Sequence, residues 1–310
     1  MIALWIALGL VAVVFLTAYI CFHIVFYSKK RPKTDEMPIL EGKEYDPFRE
    51  KMANWVQKAR CTPYREVSLR TFDGLTLRGR FYEFEKGAPI ELMLHGYRGT
   101  AERDLSGGIF RAFKLGHSVL TFDHRGSGAS DGHVITFGVK ESRDCEAWIQ
   151  YILENIDKDA KIFLTGVSMG AATVMMTAER ELPENAVGVL ADCGYTSAEA
   201  IIKDIMRRMK LPVPLLYPFV VLGGLIFGGF NVNKASPIKA VANSRLPILF
   251  FHGDTDDFVP HSMSLENFEA CTAEKRMVTI AGAGHGLCYP VDPDGYLAAM
   301  REFLEPYLQK

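Results

Sequence analysis

Two Gly-x-Ser-x-Gly pentapeptides stand in this sequence, Gly166-Val167-Ser168-Met169-Gly170 and Gly128-Ala129-Ser130-Asp131-Gly132, and each offers a candidate nucleophile for an acyl carbon. With 27 glycines and 13 serines in 310 residues, roughly one such chain in ten carries a match by chance, so the surroundings decide its meaning. The first pentapeptide follows the apolar run Lys161-Ile162-Phe163-Leu164-Thr165 and opens a helical stretch from Ala171 to Glu181, whereas the second lies in a polar, Gly-rich loop. A tight strand-to-helix turn lifts the serine Oγ above a sheet and needs glycines where side chains would collide. It also sets a helix N-terminus beneath a developing oxyanion. Ser168 is therefore the expected nucleophile.

A serine hydroxyl needs a base that takes its proton and returns it to the leaving group. Of eight histidines, His285 is best placed, because Gly282-Ala283-Gly284-His285-Gly286 is a flexible loop after the last expected strand. His23 falls in an apolar N-terminal run. His95 and His252 each precede a glycine at a strand end and read as loop-orienting, and His117, His133 and His261 read as surface or helix-flanking residues. The base in turn needs a carboxylate to fix its tautomer. The stretch Phe251 to Pro260 offers Asp254, Asp256 and Asp257 after a strand, in the chain order serine, acid, histidine, with Asp192 at the preceding strand end as a second position. The ordinary role of Asp254 and Asp257 would be loop capping or a solvated charge. For the oxyanion, one donor is expected from the Met169 N–H and another from the loop His95-Gly96-Tyr97-Arg98-Gly99, at the Tyr97 N–H.

The elements that must hold these groups are legible as periods. Arg65 to Thr71 and Leu75 to Phe84 alternate around Phe72-Asp73-Gly74, which predicts a hairpin. Short apolar runs follow at Ile90 to Leu94, Ser118 to Phe122, Ile162 to Gly166, Val187 to Ala191, Ile248 to Phe251 and Met277 to Ile280, most of them separated by helix-length segments. That alternation predicts an α/β fold with a mainly parallel, doubly wound sheet whose ligands bind at the carboxyl ends of the strands. Tyr45, Phe48, Met52, Trp55 and Val56 recur at helical spacing and predict a short amphipathic helix packed on the core. Between Tyr195 and Ser244 the connection is long, and Leu211 to Phe230 is apolar. Its three prolines, four glycines and position between core strands argue for a hydrophobic cap rather than a membrane span.

Ile2 to Tyr27 carries no charged residue, and 26 helical residues reach about 39 Å, more than the roughly 30 Å hydrocarbon core. A cleavable signal peptide is the rival reading, but the run is about twice a usual h-region and no basic segment precedes it, so an uncleaved anchor is expected. Lys29, Lys30, Arg31 and Lys33 follow it, which places the downstream domain in the cytoplasm by the positive-inside rule. The organisation expected is an anchor over 1–28, a linker and short helix over 29–62, and a catalytic domain over 63–310 with a cap insertion at about 195–244. A net charge of −2, with no basic stripe, gives nucleic acid nothing to bind. The six cysteines show no metal-ligand spacing and read as reduced thiols; no metal or organic cofactor is implied.

At this point the chain resembles the α/β-hydrolase superfamily from Arg65 to its C-terminus. His95-Gly96-Tyr97-Arg98-Gly99 is similar to that family's oxyanion loop, and Asp123-His124-Arg125-Gly126-Ser127-Gly128-Ala129-Ser130 to its Asp-x-Arg-Gly-x-Gly-x-Ser structural turn. His252-Gly253-x-x-Asp256-x-x-Val259-Pro260 resembles the acid motif, which implies Asp256 as the acid, and Gly284-His285-Gly286 the histidine loop. Within the superfamily the chain looks like bacterial hydrolases with an N-terminal membrane helix, serine aminopeptidase-like or esterase/lipase-like. The apolar cap departs from that subgroup. The resemblance implies hydrolysis of carboxylic esters, small or lipid-like, through an acyl-enzyme on Ser168. The apolar segment Leu211 to Phe230, read with the anchor, is expected to line an acyl pocket or touch the membrane, against a well-packed lid with no lipid role. An aminopeptidase-like peptidase is the second reading, and a catalytically silent membrane module the third. Serine at 168, rather than a carboxylate, argues against epoxide hydrolases and dehalogenases.

Overall fold

Buried strands that are apolar on both faces can be covered only if helices pack above and below them, and the chain folds accordingly. The computed structural model describes residues 1–29 and 38–308, so part of the expected linker, with Lys30, Arg31 and Lys33, lies outside the described residues. Its strands are β1 (Arg65–Arg70), β2 (Thr76–Tyr82), β3 (Ile90–Leu94), β4 (Ser118–Phe122), β5 (Ile162–Val167), β6 (Ala186–Asp192), β7 (Ile248–Gly253) and β8 (Lys275–Ile280). They form one sheet in the order β1-β2-β4-β3-β5-β6-β7-β8. β2 runs antiparallel to β1 and β4, and every other pairing is parallel.

The period of two sorts the side chains. In β3, Leu92 and Leu94 join a core with Trp148 and Ile149 of the helix Glu141–Asn155, while Met93 joins Leu105 and Ile109 of the helix Ala101–Phe113. In β7, Phe250 faces the first core, and Phe251 stacks on Tyr296 of the C-terminal helix Pro293–Leu308, 3.8 Å between ring centroids. The amphipathic segment near Trp55 is the helix Arg49–Cys61, and Trp55 stacks on Tyr289 at 5.6 Å. One buried charge cluster sits on β3. Glu91 of β3 is buried, and Arg111, His117 and the Thr165 hydroxyl surround it. Burial pushes its carboxyl up, but the Arg111 guanidinium and the contact with His117 outweigh that and hold it at about 2. His117 is thus a buried partner of Glu91 and not the surface residue that the sequence suggested, because the glutamate that holds it lies 26 residues earlier in the chain.

The connection from β6 to β7 carries the helices Ala198–Arg208 and Val213–Ile226. The second, here the cap helix, holds Pro218 inside it and lies against the N-terminal helix Ile2–Val25. A Cβ on Gly223 would sit 2.5 Å from the Ala18 carbonyl oxygen, and one on Gly224 would sit 3.4 Å from the Phe26 ring, so the glycines let the two helices close. Phe22, Phe26, Val220 and Phe230 fill the seam. The N-terminal helix then docks on the domain itself: Ser28 donates its N–H to His133 O at 2.8 Å, and Ile135 donates to Phe26 O at 2.9 Å.

Candidate active site

β5 ends in the elbow. Ser168 has φ 56° and ψ −115°, a left-handed region that a non-glycine residue rarely occupies, and the helix Met169–Thr177 starts at the next residue. This helix begins earlier than the Ala171 expected and ends at Thr177 rather than Glu181, where the approach to Pro183 breaks it. The two glycines are needed for lack of space: a Cβ on Gly166 would lie 2.2 Å from Gly170 O, and one on Gly170 would lie 2.1 Å from Leu94 O. Helix and sheet are therefore pressed together around the serine, whose backbone N–H bonds Asp192 O at 2.8 Å.

His285 Nε2 lies 3.0 Å from Ser168 Oγ, and its Nδ1 lies 2.7 Å from Asp256 Oδ2. A carboxylate only accepts, so Nδ1 carries the proton and Nε2 presents its lone pair to the serine hydroxyl. Gly253 brings the acid turn and the histidine loop together, since a Cβ there would lie 2.0 Å from Ala283 O. Asp256 is buried. Its Oδ1 accepts the Phe258 and Val259 N–H groups, each at 2.9 Å, and His252 Nε2 stands 3.1 Å from Oδ2. Burial pushes this carboxyl up, but hydrogen bonds from His252 and His285 outweigh it and hold the acid well below the usual carboxylate range. His252 donates from Nε2 to Val259 O and meets Ser264 through Nδ1, so its loop-orienting role extends to bracketing the acid. The sequence signal for that contact was the four-residue step from His252 to Asp256.

The other sequence candidates sit elsewhere. Asp254 caps the histidine loop by accepting Gly282 N–H at 2.7 Å, and Asp257 is exposed. Asp192 is buried and accepts from the Tyr296 hydroxyl at 3.1 Å; burial raises its pKa. Ser130 is also buried. Its hydroxyl donates to Asp123 O at 2.6 Å and accepts Arg78 N–H at 2.9 Å, which binds the structural turn to β2. Met169 heads its helix, so its N–H is among those without an intrahelical acceptor. The other expected donor, Tyr97, sits in the turn closed by Gly99 N–H to Gly96 O, and a Cβ on Gly96 would lie 3.6 Å from Ser168 Cβ. The side chains of this turn reach the N-terminal helix, a contact that no local pattern signals. The Tyr97 hydroxyl donates to Val25 O at 2.7 Å, and Arg98 donates to Ile24 O at 2.7 Å.

Cys193, Asp256 and His285 bring ligand-type atoms within 4.8 Å of one another. Burial pushes the Cys193 thiol well above its ordinary value, and Asp256 and His285 already bond each other. The arrangement can move a proton from Ser168 to His285 while Asp256 stabilises the imidazolium. If so, Asp256→Asn should lower kcat by about 10⁴, because the amide favours the wrong tautomer of His285. Asp192→Asn, Asp254→Asn and Asp257→Asn should each leave kcat within about tenfold. Steady-state kinetics on the four variants checks the ranking, and Asp192→Asn as the most damaging would move the acid to β6.

A family model described as serine aminopeptidase, S33, matches residues 90–218. An uncharacterised protein of Bacillus subtilis is 26% identical over 192 residues, 62% of this chain and 63% of its own length. A lysophosphatidylserine lipase of Danio rerio is 24% identical over 204 residues, 63% of this chain and 50% of the lipase. Among solved structures, an esterase of Pyrococcus furiosus superposes with a TM-score of 0.65 and 24% identity, covering 89% of this chain and 99% of the esterase. The chain thus spans less than two thirds of the Bacillus protein and half of the lipase.

Proposed function

We propose that the chain is a hydrolase of the α/β type that cleaves carboxylic esters through an acyl-enzyme on Ser168, a reading that the family model and the fold shared with the esterase support. The observation that carries this reading is the continuous relay from Ser168 through His285 to Asp256, 3.0 and 2.7 Å long, on a strained elbow. Ser168 Oγ attacks the acyl carbonyl as His285 Nε2 takes its proton. The Met169 and Tyr97 N–H groups receive the oxyanion, and His285 returns the proton to the leaving alcohol. Water, activated by the same histidine, then releases the acid. The proposed setting is a membrane, crossed once by the N-terminal helix, with the catalytic domain on the cytoplasmic side.

The family model favours one second reading, a peptidase with the same triad. Such an enzyme needs charged groups to hold a peptide terminus, and no charged residue lies between Leu211 and Asn233 of the cap. We expect p-nitrophenyl ester turnover to rise as the acyl chain grows beyond acetate, by about 0.8 kcal/mol in kcat/KM for each methylene that is buried, with aminoacyl amides cleaved far more slowly. Comparing kcat/KM across chain lengths and against aminoacyl amides decides it. Preference for the amides would install the peptidase, and failure to react with a fluorophosphonate would leave a silent membrane module.

A further inference from the structure

Taken over the helix Ile2–Val25 alone, the part exposed on every side is too short for the task proposed for it. Residues 2–16 are exposed on every side, and 15 residues rise only about 22 Å, against roughly 30 Å of hydrocarbon. Tilting the helix widens the gap. Closing it requires the helix to sink by about 8 Å more, some five residues, to near Cys21. Over that stretch the helix is no longer alone. Ala18 and Phe22 are buried against the cap helix, and the Phe227 ring at its end lies 5.2 Å from Tyr19. Tyr19 is still half exposed at this edge, and on the opposite side Ile20 and Ile24 continue the exposed apolar stripe.

Whatever depth Tyr19 and Ile20 reach, the cap helix reaches with them, because the junction is fixed. The Gly223 seam, the hydrogen bonds of Tyr97 and Arg98 to Val25 and Ile24, and the backbone pairing at Phe26 and Ser28 leave no hinge between helix and domain. The surface that would enter is suited to lipid. Leu225 is 48% exposed and Ile226 44%, and the 23 residues from Leu211 to Asn233 carry no charge. Arg207, Lys210 and Lys234 flank the segment, where long cationic side chains can reach lipid headgroups.

We propose that the protein is seated in the bilayer and not tethered above it, with Leu225, Ile226 and Phe227 of the cap helix immersed beside Tyr19 and Ile20 in the acyl region of one leaflet. This rests on the N-terminal helix crossing the membrane. It commits the exposed cap face to lipid, and it brings the cluster that runs from Phe22 and Phe26 through Phe137 to Tyr97 and Met169 down to the membrane surface.

The test uses the full chain with Cys21→Ala and Cys61→Ser, which leaves the four buried thiols Cys145, Cys193, Cys271 and Cys288. Single cysteines are introduced by Val11→Cys, Leu225→Cys, Ile226→Cys or Lys158→Cys and labelled with an environment-sensitive fluorophore. The protein is then reconstituted into phosphatidylcholine and phosphatidylglycerol vesicles that carry doxyl quenchers at shallow or deep acyl carbons. We expect shallow doxyl to quench positions 225 and 226 at least about twofold more than position 158, and deep doxyl to quench position 11. Positions 225 and 226 matching position 158 while 11 stays quenched would overturn the proposal and leave a domain on a short stalk in a thinned bilayer. Shielding of 225 and 226 from water without lipid quenching would also overturn it, in favour of a protein partner such as a second copy. Water exposure at position 11 as well would remove the membrane helix on which the proposal rests. Either cap position is sufficient, and a circular dichroism melt matching the unlabelled protein shows that each variant is folded.

Discussion

Ser168→Ala should lower kcat by about 10⁶ and abolish covalent labelling by a fluorophosphonate, while leaving the thermal midpoint nearly unchanged. The size follows from what the hydroxyl does in the relay. Without Oγ there is no acyl-enzyme, and the oxyanion donors alone retain about 10³ to 10⁴ over the uncatalysed reaction. The small stability effect follows from its contacts: among the described residues the hydroxyl caps no helix N–H and its one hydrogen bond is to His285 Nε2, and alanine keeps the same Cβ at φ 56°. Ser130→Ala is the matched control, and it should behave in the opposite way. It should keep labelling and turnover, but lose about 1 kcal/mol of stability, because the partly buried Arg78 N–H loses its acceptor. Intact-protein mass spectrometry of the labelled chains and a denaturant melt of each variant read both effects. Loss of labelling in Ser130→Ala with retention in Ser168→Ala would transfer the nucleophile to the other pentapeptide.

The second large effect is expected at His285. His285→Gln should lower kcat by about 10⁵ to 10⁶, close to the loss at Ser168, because in the proposed relay the nucleophile and its base act as one unit. Glutamine can still hydrogen-bond Ser168, but it takes up no proton, so the hydroxyl attacks at its own low reactivity. The double variant Ser168→Ala/His285→Gln should be scarcely slower than either single one. Additive losses in that comparison of kcat would show that the two residues act independently and would break the relay. The fold should survive, since His285 lies in a loop with its ring partly open to solvent, and the Tyr45 hydroxyl bonds its backbone oxygen, which glutamine retains.

How much of this was legible beforehand differs from residue to residue. The strand before Gly166, the hairpin around Asp73-Gly74 and the apolar run Ile90 to Leu94 are local patterns, and the sheet is built on them. The elbow was legible for the same reason, because only glycine fits at 166 and 170, whatever surrounds the turn. Among the three carboxylates after β7 local reading had no preference. Asp254 and Asp256 both accept backbone N–H groups, and what sets Asp256 apart is its second oxygen, which meets an imidazole 29 residues away. His117 failed for a related reason: a histidine next to glycine at the start of a strand reads as surface unless one knows that Glu91 is buried beside it.

The sequence by itself therefore determined the α/β layering, the tight strand-to-helix turn at Ser168, the order along the chain of the serine, acid and histidine proposed as a relay, and an N-terminal helix long and apolar enough to cross a membrane. Each depends on steric or hydrophobic periodicity that repeats within a few residues. Tertiary structure alone decided which carboxylate faces His285, that Glu91 and His117 share a buried site, and that the apolar cap lies along the N-terminal helix with Tyr97 and Arg98 bonded to its last carbonyls. In each of these the partners are tens to about two hundred residues apart, and the interaction exists only once the sheet has brought them within 3 Å or so of each other. Its strength depends on the desolvation and geometry of that meeting, which neither segment encodes alone.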